Sequence, residues 1–173
     1  MDPQLIINGI ALGSIIALGA VGLTLTYGIL RLSNFAHGDL MTLGAFVAWM
    51  MNRSQIPVFN NIWLSMLVGI AATVGVGLLS EAVLWRRMRR VRATSTTLVI
   101  ISIGLGLFLR NGILLVWGSD VKTYDLPISE ALDLFGVKIK FYNIVVLGLA
   151  IVAIAGLHFL LQNTKIGDRK SVV

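Results

Sequence analysis

Apolar residues run along this chain in long uninterrupted stretches, with the polar residues collected between them. Five such stretches can be drawn, at residues 5 to 30, 35 to 51, 62 to 84, 96 to 117 and 142 to 161. A helix needs about 20 apolar residues to cross a hydrocarbon core of ~30 Å, and several of the stretches approach that length. The segments between them are short, Arg31 to Asn34, Asn52 to Asn61 and Trp85 to Ser95, with one longer loop from Gly118 to Lys140. The pattern predicts an all-α integral membrane protein, a bundle of about five transmembrane helices.

Composition points the same way. Hydrophobic residues make up 57% of the chain and charged residues 13%, with a mean hydropathy of +0.88, outside the balance of a soluble domain. A net charge of +6 raises the question of nucleic acid, but the basic residues lie beside apolar runs and form no basic surface interleaved with aromatics. Membrane lipid is the expected surrounding, and nucleic acid is not an expected partner. The absence of cysteine removes disulfides, Cys-ligated zinc and thiol nucleophiles. The start, Met1-Asp2-Pro3-Gln4, lacks the positive charge of a cleavable signal, so the first run is read as a retained span.

Basic residues set the orientation, because short cytoplasmic loops collect Lys and Arg. Arg86, Arg87, Arg89, Arg90 and Arg92 fall in one short connection and predict a cytoplasmic basic loop. Counting outward from it puts the N-terminus outside, Arg31 inside, residues 52 to 61 and 118 to 140 outside, and the C-terminus inside. Asp120, Asp125, Glu130 and Asp133 then share the external loop with Lys122, Lys138 and Lys140.

Small residues suggest how the spans pack. Gly9 and Gly13 form a GxxxG in the first span, with Gly19 and Gly22 further along, and such spacing lets helix backbones approach closely. A Gly-interrupted span can also line a transport path. Gly75 with Gly77, and Ser102 with Gly104 and Gly106, repeat the theme in the third and fourth spans.

Ionisable groups at membrane depth are functional candidates by default, since a charge there is costly unless paired. Arg110 stands seven residues before Trp117 and either snorkels outward or makes an interior polar contact, with Asn111 beside it as a second polar group. Glu81, one turn before the arginines, is placed to pair with Arg86 or a neighbour. Asn34 can cap the helix after it, with Asp39 near that helix's positive end, or His37 and Asp39 can face a polar cavity. His158 reads as an interfacial packing residue. Catalytic, phosphate-binding and metal motifs are lacking, so neither an enzyme nor a cofactor is expected, and any energy for transport must come from a partner.

The residues also resemble a known family. Asn8-Gly9-Ile10-Ala11-Leu12-Gly13-Ser14, Tyr27-Gly28-Ile29-Leu30, Asn34-Phe35-Ala36-His37-Gly38-Asp39, Glu81 before the basic run, and Ile103-Gly104 leading to Asn111 look like the permease subunits of branched-chain amino acid ABC importers. The resemblance implies a partial permease domain over residues 1–167 in a bacterial inner membrane. It further implies a second permease subunit, two cytoplasmic ATPases and an external substrate-binding protein as partners. Residues 168–173 depart from the family pattern, and the chain is expected to be a truncated form or one piece of a split subunit. Uptake of urea or short amides, and a non-transporting membrane interaction protein, stay open as alternatives.

Overall fold

The computed structural model of the chain describes residues 3–30, 34–54, 61–124, 132–134, 137–139 and 141–163. The expectation for 168–173 lies outside them. The fold is helical: α1 (Pro3–Leu30), α2 (His37–Asn52), α3 (Ile62–Ser80), α4 (Arg86–Arg90), α5 (Ser95–Trp117) and α6 (Phe141–Asn163). A π-helical stretch, Glu81–Trp85, joins α3 to α4. Among the described residues three helices are long and apolar enough to cross a membrane, Gln4–Gly28, Ile62–Arg90 and Ser95–Trp117, and α6 carries a shorter apolar stretch at Tyr142–Gly156.

The sequence-drawn spans match these helices to within a few residues, with two differences. The basic segment is not a loop through most of its length. Helix continues from Ile62 to Arg90, because arginine is a good helix former and no Gly or Pro falls between Leu78 and Arg90. The turn comes only at Val91 and Arg92, where Arg92 takes a positive φ of 52°. The second difference is a short antiparallel hairpin inside the long loop, Leu132–Leu134 paired with Val137–Ile139.

The chain divides into two compact units, one of Met1–Thr24 with Ile128–Val173 and one of Leu25–Pro127. The first holds most of α1, the hairpin and α6. Many of its large apolar side chains are exposed, among them Leu5, Ile16, Val152 and Phe159, as lipid-facing residues should be. Among the described residues a Cβ at Gly9 or Gly13 would meet no atom within 4 Å.

In the second unit α2 packs on both α3 and α5. Its buried positions, Leu40, Gly44, Ala48 and Asn52, recur every four residues and form one stripe. On α3 the facing stripe is Ser65, Gly69 and Thr73. A Cβ at Gly69 would lie 2.5 Å from the Gly44 carbonyl oxygen and 2.9 Å from the Ala48 Cβ, and one at Gly44 would collide with Thr73 Oγ1. The helices therefore touch backbone to backbone, the geometry that small residues spaced by four permit. Thr73 Oγ1 donates 2.9 Å to the Gly69 carbonyl oxygen and lies 3.5 Å from that of Leu40.

At the opposite end from the arginines, the segment after α5 is strapped to α2. Trp49 Nε1 donates to the Thr123 carbonyl oxygen at 2.9 Å, and the Tyr124 hydroxyl donates to the Ala45 carbonyl oxygen at 2.7 Å. Phe46 packs on Trp117 with ring centroids 5.7 Å apart, and the Lys122 ammonium lies 5.4 Å from the Trp49 ring centre. Aromatic residues with polar tips suit this end of a span, where hydrocarbon gives way to water.

Two predictions follow from this packing. Gly69→Leu inserts a side chain where backbone already fills the space, and should destabilise the folded chain by about 1–3 kcal/mol or more in reversible unfolding from lipid bicelles. Gly75→Leu, where a Cβ meets nothing within 4 Å, should be near neutral. Burial raises the Tyr124 hydroxyl above its ordinary pKa of 10.0. The folded chain then keeps a proton that the unfolded chain releases, so this contribution to stability is present below pH 10.0 and lost as pH rises above it. Tyr124→Phe should flatten that alkaline loss, with the phenolate absorbance of the two proteins as the check.

Candidate functional site

The site is built where the start of α2 meets the middle of α5. Gly106 is at the centre of the 23-residue α5, and the first residues of α2 lie against it. A Cβ at Gly106 would be 3.5 Å from Ala36 Cα, in ordinary contact, and 2.7 Å from Asp39 Oδ2, so a larger residue here would have to displace the Asp39 carboxylate. Ala36 is fully buried, and with Leu40 and Leu109 it forms the apolar core of the contact, flanked by Leu43, Val76 and Leu105.

The local sequence dictates how α2 begins. Asn34 Oδ1 accepts the Ala36 N–H at 3.1 Å, and the Asn34 carbonyl oxygen accepts the His37 N–H at 3.2 Å. This is a tight turn fixed by a short polar side chain bonding its own backbone two residues on. The turn leaves the Phe35 N–H without a helical acceptor. Ser102 Oγ on α5 accepts it at 3.2 Å, while the same hydroxyl donates to the Val99 carbonyl oxygen at 2.7 Å. Ser102 is fully buried, as a polar group serving non-helical backbone at membrane depth should be.

Charge completes the junction. Asp39, in the first turn of α2, sits 3.5 Å from Arg110 Nε, with the carboxylate largely covered and the arginine 68% exposed. The carboxylate benefits twice, from the guanidinium and from the positive end of the α2 dipole. Arg110 thus reaches across to α2 and not only outward along its own helix.

Of the candidates named from the sequence, Asn34, His37, Asp39 and Arg110 converge on this junction, His37 as the half-buried first residue of α2. Asn34 organises the turn and does not cap the helix, whose recorded cap residue is Ala36 with no side-chain bond. Asn111 points elsewhere and donates to the Leu107 carbonyl oxygen of its own helix at 2.7 Å. Glu81 stands apart and pairs with Arg89. His158 is exposed on α6. Sequence reasoning missed Gly44, Gly69 and Thr73. Their signal was the Gly44-x-x-x-Ala48 and Ser65-x-x-x-Gly69-x-x-x-Thr73 spacing, the same cue that drew attention to Gly9 and Gly13.

If the Ser102 hydroxyl supports the turn, Ser102→Ala leaves the Phe35 N–H without this acceptor and should cost about 1–3 kcal/mol of stability. Ser95→Ala, at the exposed start of α5, should change stability by less than about 0.5 kcal/mol. Equal losses for the two variants in the same bicelle unfolding assay would contradict the role given to Ser102.

The chain is similar to known proteins across nearly its whole length. Residues 5–173 match the family model described as branched-chain amino acid transport system / permease component. The high-affinity branched-chain amino acid transport system permease protein BraD of Pseudomonas aeruginosa is 29% identical over 180 residues, covering 95% of this chain and 56% of that protein. The LivH permease proteins of the same kind of system in Salmonella typhimurium and Escherichia coli K12 are 34% identical over 122 residues, covering 67% of this chain and 39% of theirs. The chain therefore spans between about two fifths and just over half of these relatives. No solved structure matches it. With the match running from the first span to the last residue and taking in the whole α2–α5 junction, the chain belongs to the branched-chain amino acid transport system permease family.

Proposed function

We propose that this chain serves as transmembrane permease component of an ATP-driven importer of branched-chain amino acids in the bacterial inner membrane. The observation that carries the reading is the family match over residues 5–173. The relatives above are named for branched-chain amino acid transport, which favours that substrate class over urea or short amides. The partners are a second permease subunit, two cytoplasmic ATPases that supply the energy, and an external binding protein that delivers substrate. The arginine-rich end at Arg86–Arg92 faces the cytoplasm, as the bias of basic residues favours.

The α2–α5 junction is the part of the chain suited to a translocation path. A helix that begins at mid-depth presents its positive dipole end there, an arrangement that transporters use to meet charged substrate groups. An amino acid carries one carboxylate and one ammonium, and the junction offers Arg110 with the α2 amino end for the first and Asp39 for the second. Glu81 and Arg89 lie toward the cytoplasmic end and hold the helix that leads there.

Uptake in cells lacking their own branched-chain system tests the proposal. Expressed with its neighbouring transport genes, the chain should confer ATPase-dependent uptake of labelled leucine and not of labelled urea. Asp39→Asn should lower the leucine rate by about tenfold or more at unchanged membrane abundance, a loss of roughly 1.4 kcal/mol in the limiting step. Urea uptake in place of leucine, or no uptake with all partners assembled, would overturn the assignment.

A further inference from the structure

On the side of α5 facing α3, an apolar cavity of about 470 Å³ opens between the two helices. Val76, Leu79, Val83 and Leu84 line one wall, and Ile101, Leu105 and Phe108 the other. Its position along the span is specific. On α5 it runs from Ile101 to Leu109, across the helix midpoint at Gly106, and on α3 it runs from Val76 to the π-helical stretch Glu81–Trp85 that leads to the arginines. The groove therefore lies at the middle of α5 and opens along α3 toward the arginine-rich end.

That end carries a surplus of positive charge. Arg86, Arg87, Arg89, Arg90 and Arg92 are all exposed, and among the described residues only Arg89 is paired with a carboxylate, that of Glu81. Arg87 follows Val83 and Leu84 by four and three residues, which sets it one turn further along the face that lines the groove. The π-helical stretch lies where the groove meets these cations, and single π turns in α-helices recur at functional sites.

We infer that the α3–α5 groove is a binding site for an anionic phospholipid, one acyl chain lying against Val76, Leu79, Val83 and Phe108 and the phosphate held by Arg87 and Arg90. An apolar slot that leads from mid-membrane toward the arginines accepts a chain of the surrounding lipid, and unpaired guanidiniums at headgroup depth select the negative headgroup. The apolar wall without the cations would hold any lipid, and the cations without the wall would hold none in a fixed place.

The test is native mass spectrometry of the chain released from nanodiscs of equal phosphatidylglycerol and phosphatidylcholine. The wild type should retain one phosphatidylglycerol in preference to phosphatidylcholine. Arg87→Gln with Arg90→Gln should lower retention by roughly thirtyfold, from about 1 kcal/mol per basic residue near the surface. Arg87→Lys with Arg90→Lys should stay within about threefold of wild type. Gly104→Leu projects into the groove without meeting an atom, since a Cβ there has nothing within 4 Å, and should lower retention as strongly as the glutamine pair. Lys122→Gln, at the other end of α5, should have no effect. The inference fails if the wild type retains no lipid, as when another helix fills the groove. It fails equally if both lipids are retained alike, if the lysine pair falls with the glutamine pair, or if Gly104→Leu leaves retention unchanged.

Discussion

Lipid offers no hydrogen bonds, so any backbone that departs from helix at membrane depth must find its partners inside the protein. Among the described residues that constraint is met by the turn from Asn34 to Ala36, which lies against the middle of α5. Asn34 closes the turn on itself, and Ser102 takes the amide that the turn leaves over. Gly106 provides the space for the approach, and Arg110 neutralises the carboxylate that comes with it. Remove Asn34, Ser102 or Arg110 and a polar group loses its partner inside the protein.

The remaining contacts of the Leu25–Pro127 unit hold α2 in the position that this junction requires. The small-residue seam with α3 fixes α2 laterally, since Gly44 and Gly69 leave no slack for sliding. The strap of Thr123 and Tyr124 fixes its far end. A helix of 16 residues spans only about 24 Å, less than a bilayer core, so α2 depends on neighbours at both ends rather than on lipid alone. The same α5 that receives α2 on one side presents an open apolar wall to α3 on the other, which places a lipid-accessible groove behind the junction.

Much of this was legible in the sequence because lipid imposes a simple rule: long apolar runs become helices. The five runs fell on the five continuous helical segments, and Asp39 and Arg110 stood out because charge in such runs is rare. What the runs could not show was depth. The residues Ser33 to Asp39 looked like an ordinary helix start at the membrane surface, and nothing local says that Ala36 lies opposite the midpoint of α5. That fact resides in a contact between positions 70 residues apart in the chain. The arginine segment was misjudged as loop for a different reason: charge density marks the edge of the membrane, whereas helix ends are set by backbone signals, here the turn at Val91 and Arg92.

The central claim is that the Asn34–Ala36 turn is buried at the midpoint of α5. Because the chain contains no cysteine, a disulfide between Ala36→Cys and Gly106→Cys reports that contact without background. The separation of 3.5 Å between Ala36 Cα and a Cβ at Gly106 is within reach of such a bond. Mild oxidation in native membranes should remove both thiols from maleimide labelling in the double variant, while each single variant stays labelled. If both thiols of the double variant remain free, or if Ala36→Cys pairs instead with a cysteine placed at Ser95, the turn lies at the membrane surface and the account is wrong.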